Sequence, residues 1–370
     1  KEETAGLNRL QIAKLWQKRK YDAGWACIGW DPAYGGRGAS AIEQVIWKQE
    51  EAKYDVPAGF FVIGQGMMAP TLMAYAQPQH LERYLPKLAS GEEIWCQLFS
   101  EPAGGSDLAA LRTKAERDGD EWVVNGQKIW TSNAHEATHM FCLVRTSTQG
   151  RAQQGITFLL IDMQTPGITV EPIISLSGVH EQNTVFLDNV RVPQVNRVGE
   201  ENDGWTVAKY LLEFERGTLV ISPMLRKNLG LVRLSAANET TADGQALLDD
   251  RVFRRKLAEL EIDMDILEFN ENRLISAAAE GHSPGLLASL VKIVSGELVQ
   301  GIDKLGTEAA GLHSLVYQPE AMVPGDRADV VGPDHALIAM PRYLDNRGVT
   351  IAGGSSEVQR NILAKSVLGL

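Results

Sequence analysis

Along residues 1–90 the apolar positions recur at three- and four-residue steps, as in Leu7, Leu10, Ile12, Ala13, Leu15 and Trp16. That is the period of helices burying one face. Turn chemistry interrupts it at Asp31-Pro32 and at Tyr34-Gly35-Gly36-Arg37-Gly38, and the spacing predicts later helices over 41–53, 60–75 and 78–88. From Gly91 the period falls to two. Glu121-Trp122-Val123-Val124, then Asn125-Gly126, then Gln127-Lys128-Ile129-Trp130 predicts a hairpin turning at Asn125-Gly126. Further strands are expected over 140–146, 156–161, 168–174 and 184–187. After Gly199 the helical period returns, and 205–237, 250–280 and 286–305 read as bundle helices with a broad apolar stripe. The pattern gives an α+β chain in three parts: an N-terminal helical domain over 1–90, a β-domain over 91–200 and a C-terminal helical bundle over 201–370.

This order excludes several architectures. Strands do not alternate with helices, so neither a doubly wound sheet nor an α/β barrel fits. Gly36-Arg37-Gly38 lacks a third glycine and a preceding strand, and there is no GxxxxGK, so no Rossmann or P-loop nucleotide site is expected. Charge narrows the field further: 36 basic minus 47 acidic residues gives -11 over 370 residues, unlike a nucleic-acid footprint, which needs a basic face. No apolar run reaches the roughly 18 residues of a membrane span. Cys27, Cys96 and Cys142 are isolated and odd in number, which suits reduced thiols in the cytoplasm. The chain opens on Lys1, and a start upstream is expected.

Three stretches carry candidate chemistry. His135-Glu136-Ala137-Thr138-His139 matches HExxH, but zinc binding needs both histidines on one face of a helix. Lying between predicted strands, the pentapeptide reads as a loop and no metal is expected. The segment from Trp95 to Asp107, WCQLFSEPAGGSD, runs from a strand into small residues; adjacent glycines let backbone amides approach an anion such as a pyrophosphate. Lys128-Ile129-Trp130-Thr131-Ser132-Asn133 ends a strand with an aromatic and two hydroxyls, where a flat cofactor can stack and accept hydrogen bonds.

With these segments the chain resembles the acyl-CoA dehydrogenases over almost its full length. The markers are Tyr34-Gly35-Gly36, QLFSEPAGGSD, NGQKIWTSNA, FLDNVRVPQVNRVGEENDGW and IAGGSSEVQRNILAKSVLGL, in that order. The resemblance implies FAD and removal of two hydrogens from the α and β carbons of an acyl-CoA, giving the trans-2-enoyl-CoA. By position it implies that Gln97, Phe99 and Ser100 line the flavin and that Gly105 and Ser106 meet its pyrophosphate. Trp130, Thr131 and Ser132 would cover its ring face and polar edge, and Ser355 and Glu357 would contact its ribose and phosphates. Ser106 would also touch substrate.

The reaction needs a carboxylate for the α-proton and donors for the thioester oxygen, because an α-hydrogen is a weak acid. The family's frequent base, a glutamate in a C-terminal Tyr-Glu-Gly, falls here on Gly353, after Ala352. Its alternative location, just before an arginine on the first long helix of the C-terminal domain, falls on Glu215 in Leu211-Leu212-Glu213-Phe214-Glu215-Arg216-Gly217. Apolar neighbours there would raise a carboxyl pKa. Gly353 keeps a backbone N–H for the thioester oxygen, and Arg216, about 100° around the helix from Glu215, matches an arginine that contacts CoA.

Departures from the family pattern point to the assembly. The Arg-x-x-Phe-Gly stretch that neighbouring subunits bring to FAD is replaced over 238–245, and the Gln-x-x-Gly-Gly motif is replaced near Asp303-Lys304-Leu305-Gly306-Thr307. A polar insertion lies between Tyr317 and His335. The expectation is a homo- or hetero-oligomer, a dimer or tetramer, acting on a bulky, branched or steroid side-chain thioester. Electrons would pass to an electron-transferring flavoprotein. The alternatives are a silent flavin-binding subunit of a hetero-oligomer and an oxidase on the same fold.

Overall fold

Capping chemistry starts the first helices where the apolar period predicts them. In a computed structural model, α1 (Arg9–Asp22) begins at Asn8, whose side chain accepts from the Gln11 N–H at 2.8 Å while the Gln11 side chain accepts from the Asn8 N–H at 2.9 Å. Ser40 and Glu43 repeat the arrangement at α2 (Ala41–Glu51). Each such cap is worth about 1 kcal/mol. The structure describes residues 4, 6–54, 57–217, 220–280, 285–319, 321 and 330–370; the side chains of 58, 215–217, 278, 279 and 285 lie outside the described set. Most of the predicted polar insertion also lies outside it.

The helix expected over 60–75 is broken into a 3-10 turn (Ala58–Phe61), a π-turn (Gly64–Met68) and α3 (Ala69–Tyr75). Pro70 stands in the first turn of α3. With no N–H to donate back along the chain, it prevents one continuous ladder. α4 (Pro78–Ser90) then ends on Gly91 at φ +76, the left-handed cap that suits glycine.

Among the described residues eight strands follow: β1 (Trp95–Leu98), β2 (Lys114–Asp118), β3 (Glu121–Lys128), β4 (His139–Arg145), β5 (Ile156–Asp162), β6 (Ile168–Ile174), β7 (His180–Pro193) and β8 (Arg197–Val198). Their order is β6-β7-β3-β2-β4-β5-β8, with β1 parallel to β4. The hairpin expected at Asn125-Gly126 is corrected. Asn125 and Gly126 lie inside β3, the chain turns instead between β2 and β3, and the β3–β7 register shifts between Val124 and Gly126. The glycine serves a close approach, since a Cβ there would meet Thr113 Oγ1 at 2.5 Å and Thr113 Cα at 2.7 Å.

β2 meets β4 through a single pair, Lys114 opposite Arg145. Beside it the Arg145 N–H donates to the Thr113 carbonyl at 2.6 Å, and the Arg145 guanidinium ties the flanking loops, donating to the carbonyls of Ala109 at 2.6 Å, Ala152 at 2.8 Å and Gln154 at 2.9 Å. Alternate residues of the sheet enter two cores. Trp95, Phe99, Phe141, Phe158 and Leu160 pack with Leu72, Leu85 and Leu88 of α3 and α4, while Cys96, Leu98, Trp122, Val124, Met140 and Leu159 fill the other side. β4 and β5 are buried on both faces, which is why they read as unbroken apolar runs.

The helical region expected over 205–237 is two helices, α5 (Gly204–Gly217) and α6 (Ser222–Asn238), the second with Pro223 in its first turn. α7 (Arg251–Ala279), α8 (Gly285–Ala310), α9 (Ala339–Asp345) and α10 (Ser356–Leu363) complete the chain. Leu225, Leu229, Leu257, Met264, Leu267 and Ile302 form the bundle core, whereas Val207, Ala208 and Leu211 of α5 belong to the sheet core. α5 therefore joins the β-domain to the bundle. Among the described residues no helix is long and apolar enough to cross a membrane.

Candidate functional site

The loop after β1 is fixed by a buried ion pair. Lys128, fully buried at the end of β3, donates to Glu101 Oε1 at 2.9 Å and to the carbonyls of Leu143 at 2.8 Å and Phe99 at 3.2 Å. Glu101 also accepts from the N–H groups of Arg112 at 2.6 Å and Thr113 at 2.9 Å. Burial works against the charge of this carboxylate. The Lys128 ammonium and the Thr113 hydrogen bonds outweigh it and hold the carboxyl below its usual range. With Phe99 and Glu101 anchored, the Ser100 carbonyl between them accepts from the Ile129 N–H at 3.0 Å. Phe99 and Ser100 are thus brought beside the stretch that begins with Trp130, while Gln97 pairs with Phe141 on β4.

Reciprocal bonds between Glu101 and Gly104, both 3.0 Å, then pinch the loop. They leave Gly105 and Ser106 exposed, with nothing among the described residues within 4 Å of where a Gly105 Cβ would stand. The Phe99 ring is 5% exposed and packs edge-on against Phe141 and Phe158 at 5.7 and 6.2 Å. Gln97 is half-buried on the strand face of Trp95 and Phe99.

Trp130 leaves the strand at φ +60 with its indole 61% exposed, the reverse of a large aromatic used for packing. Thr131 is buried, and its hydroxyl has no hydrogen-bond partner among the described residues. An unsatisfied buried hydroxyl costs about 1–3 kcal/mol. Ser132 Oγ accepts from Gln182 Nε2 at 3.0 Å. A flat, hydrogen-bonding cofactor fits this set: an exposed indole face, an orphan hydroxyl and open backbone at Gly105.

Other expected residues stand elsewhere. Ser355 is the N-cap of α10, its Oγ accepting from the Val358 N–H at 3.3 Å. Glu357 follows it in the first turn, where its own backbone N–H and the Ser355 hydroxyl hold the carboxyl below its usual range. α10 is pinned to α8 by a buried 2.8 Å bond from Ser289 Oγ to Gln359 Oε1; no hydrogen bond among the described residues joins Ser355 or Glu357 to the Trp130 stretch. Gly353 and Gly354 adopt φ +67 and +89, a conformation a glutamate would occupy only under strain. The N–H groups of Ile351 and Ala352 both reach the Gly348 carbonyl at 2.9 Å, whereas no backbone carbonyl among the described residues accepts from Gly353. α5 carries positions 215 and 216 near its end; the side chains of Glu215 and Arg216 lie outside the described residues.

The two histidines of the HExxH match face different partners. His139 opens β4 and stacks on Trp95 at 5.1 Å, while His135 stacks on His180 at 3.9 Å. Asp303, where the Gln-x-x-Gly-Gly motif is replaced, is buried and accepts from Asn346 Nδ2 at 2.6 Å.

Sequence reasoning missed Glu101, Lys128, Asn183 and Glu271 as site-building residues. Lys128 falls in phase with the buried Trp122 and Val124 on β3, and a lysine at an inward position was the available signal. Glu271 is buried on α7 and accepts from the N–H groups of Ile221 at 3.0 Å and Ser222 at 3.2 Å, capping α6 just beyond the segment of Glu215. Burial pushes its carboxyl above the usual range despite those bonds.

Residues 5–92, 96–190 and 202–368 match the N-terminal, middle and C-terminal domains of acyl-CoA dehydrogenases. The acyl-CoA dehydrogenase IpdE1 of Mycobacterium tuberculosis is 36% identical over 361 residues, covering 96% of this chain and 88% of that protein. Among solved structures, the ChsE4-ChsE5 complex from Mycobacterium tuberculosis superposes with a TM-score of 0.82 at 33% identity, covering 97% of this chain and 90% of that one. The Tcur3481-Tcur3483 steroid ACAD gives 0.83 at 25% identity, covering 98% and 92%.

Proposed function

Because this chain belongs to the acyl-CoA dehydrogenase family and catalyses FAD-dependent α,β-dehydrogenation of an acyl-CoA thioester, we propose that Glu215 takes the α-proton while the Gly353 N–H donates to the thioester oxygen. The observation that carries this reading is the left-handed glycine pair at 353–354, which places no carboxylate where the family's other base stands. The Gly353 N–H, which no backbone carbonyl among the described residues accepts, supports the donor role. As the α C–H bond breaks, its proton goes to the Glu215 carboxylate and its electron pair moves toward the thioester oxygen, where a preorganised amide stabilises the growing charge. FAD, when bound, supplies the acceptor for the hydride leaving the β-carbon.

Gln97, Phe99, Ser100, Gly105, Ser106, Trp130, Thr131, Ser132, Ser355 and Glu357 hold the cofactor in this reading. Ser106 and Arg216 meet the CoA moiety, a local positive charge in a chain of net -11. The three parts at 1–90, 91–200 and 201–370 divide the work, with N-terminal helices walling the acyl pocket, the β-domain presenting the flavin surface and the bundle delivering base and donor.

The acyl group is bulky, branched or a steroid side chain; the steroid ACAD among the solved neighbours and the missing side chain at Gly353 support this. The ChsE4-ChsE5 and Tcur3481-Tcur3483 pairs, with the replaced stretches over 238–245 and 303–307, support assembly with a second, non-identical chain. Electrons leave to an electron-transferring flavoprotein in the cytoplasm. The test is Glu215→Gln in the yellow holoprotein: dye-coupled turnover and α-proton exchange in deuterium oxide fall about 10²- to 10⁴-fold. Unchanged exchange would sink Glu215 as base, and exchange absent even in the wild type would favour a silent flavin-binding subunit. Oxygen uptake without an added acceptor would mark an oxidase.

A further inference from the structure

The stretch from Trp130 to Asn133 carries two non-glycine residues in the left-handed region, Trp130 at φ +60 and Asn133 at φ +54. Such a backbone persists only where its surroundings hold it. Three residues at the start of β7 do so. The Thr131 N–H donates to the Asn183 carbonyl at 3.0 Å and the Asn133 N–H to the Glu181 carbonyl at 2.8 Å. Gln182 Nε2 reaches Ser132 Oγ at 3.0 Å, and Asn183 Nδ2 reaches the Thr131 carbonyl at 2.9 Å.

Asn183 is the centre of this arrangement. Its side chain is fully buried. Both amide hydrogens are used, on the carbonyls of Thr131 at 2.9 Å and Glu181 at 3.2 Å. Oδ1 faces His180 Nε2 at 2.8 Å and His135 Nδ1 at 3.2 Å. All four hydrogen-bonding positions of the amide are occupied. The two imidazoles that close on it stack with centroids 3.9 Å apart and planes 23° apart. With the amide nitrogen turned to the carbonyls, the rings are donors, His135 from Nδ1 and His180 from Nε2. The first histidine of the HExxH match thus has a use that needs no metal.

We propose that Asn183 is a positioning residue for the flavin surface: clamped by His135 and His180, it holds Trp130, Thr131 and Ser132 in the left-handed backbone shape that presents the indole outward with the two hydroxyls beside it. The proposal rests on the placement of FAD against that stretch. It adds that FAD affinity is set by a buried amide with no side-chain contact to the cofactor, and by a histidine pair one step further away.

The experiment titrates FAD into the full chain after deflavination, following flavin fluorescence, alongside indole fluorescence and the unfolding midpoint of the apoprotein. Asn183→Leu, near in size but without hydrogen bonds, is expected to weaken FAD binding about 10- to 100-fold, as one or two lost hydrogen bonds imply. His135→Phe keeps the stack, loses one donor and weakens binding several-fold, whereas His135→Gln restores a donor and most of the affinity. The apoprotein indole emission shifts in Asn183→Leu while the unfolding midpoint of the His135 variants stays near wild type. FAD affinity within twofold of wild type in both Asn183→Leu and His135→Phe overturns the proposal. If Asn183→Leu does not fold, the His135 pair decides, and equal affinity in Phe and Gln variants overturns it. Trp130→Ala separates the two levels. Unchanged FAD affinity there overturns the flavin placement itself, while weakened binding with an unaffected Asn183→Leu overturns only the role of Asn183.

Discussion

Removing the charge of Glu101 is expected to cost the β-domain several kcal/mol. In Glu101→Gln the Lys128 ammonium stays fully buried, still bonded to the carbonyls of Leu143 and Phe99 but without its counter-charge. The new amide also brings N–H groups toward the N–H of Arg112 or Thr113, both of which now donate to the carboxylate. Breaking a buried pair from one side costs about 3–5 kcal/mol, and we expect that range here. Lys128→Met should cost a similar amount by stranding the carboxylate. The double variant strands neither charge, so it should lie about 2–3 kcal/mol above the sum of the singles. Guanidinium unfolding of the apoprotein, followed by tryptophan fluorescence, measures all four proteins. Single losses below about 1 kcal/mol, or additivity within about 0.5 kcal/mol, would refute the argument. The pH dependence has a definite sign. The folded carboxyl is held below its usual range, and the unfolded value is about 4.3. The stabilisation is therefore complete above about pH 4.3 and is lost as pH falls through the folded value, a loss Glu101→Gln should not show.

Gly126→Ala forces a Cβ to 2.7 Å from Thr113 Cα, whereas Gly119→Ala, at φ +60, meets nothing within 4 Å. The first should cost about 1–3 kcal/mol by overpacking and the second only the backbone term of about 1–2 kcal/mol; equal unfolding midpoints with a wild-type-like Gly126→Ala would contradict this. Cys27, Cys96 and Cys142 are buried, and burial pushes Cys27 up to about 12, Cys142 up to about 11 and Cys96 higher still. Iodoacetamide at pH 8 should therefore leave all three unmodified by mass spectrometry until denaturant is added, and prompt labelling of native Cys96 or Cys142 would count against the burial described.

Much of this architecture was legible because one face of each element is buried. The strand over 168–174 matched in full, and β4 and β5 came within a residue of expectation, since uninterrupted apolar runs mark strands covered on both sides. Asn125-Gly126 misled because its local turn preference was overridden by pairing with β2 on one side and β7 on the other, and β7 begins more than fifty residues further along the chain. Helix breaks at Pro70 and Pro223 were visible as prolines, yet apolar spacing on either side concealed them. In the site, the ordered motifs pointed to Gly105, Ser106 and Trp130, which are exposed, and to Phe99 and Thr131, which are buried. Those that hold them in place are ordinary polar letters in sequence: Asn183 sits in phase with Val185 and Leu187 on β7, but only folding reveals that its amide meets Thr131 and two histidines.

The single pair that joins β2 to β4 divides the sheet mechanically. One half, β6-β7-β3-β2, carries the Trp130 stretch and its template; the other, β1-β4-β5-β8, carries Gln97 to Ser100. Strand pairing across the sheet is thinnest along this line, which is crossed by the Arg145 N–H on the Thr113 carbonyl, by the Ile129 N–H on the Ser100 carbonyl and by Lys128 on Glu101 and the carbonyls of Phe99 and Leu143. A ligand lodged against both halves acts as a brace across that line. Loading the enzyme should then slow amide exchange at the Lys114–Arg145 junction more than in the middle of either half.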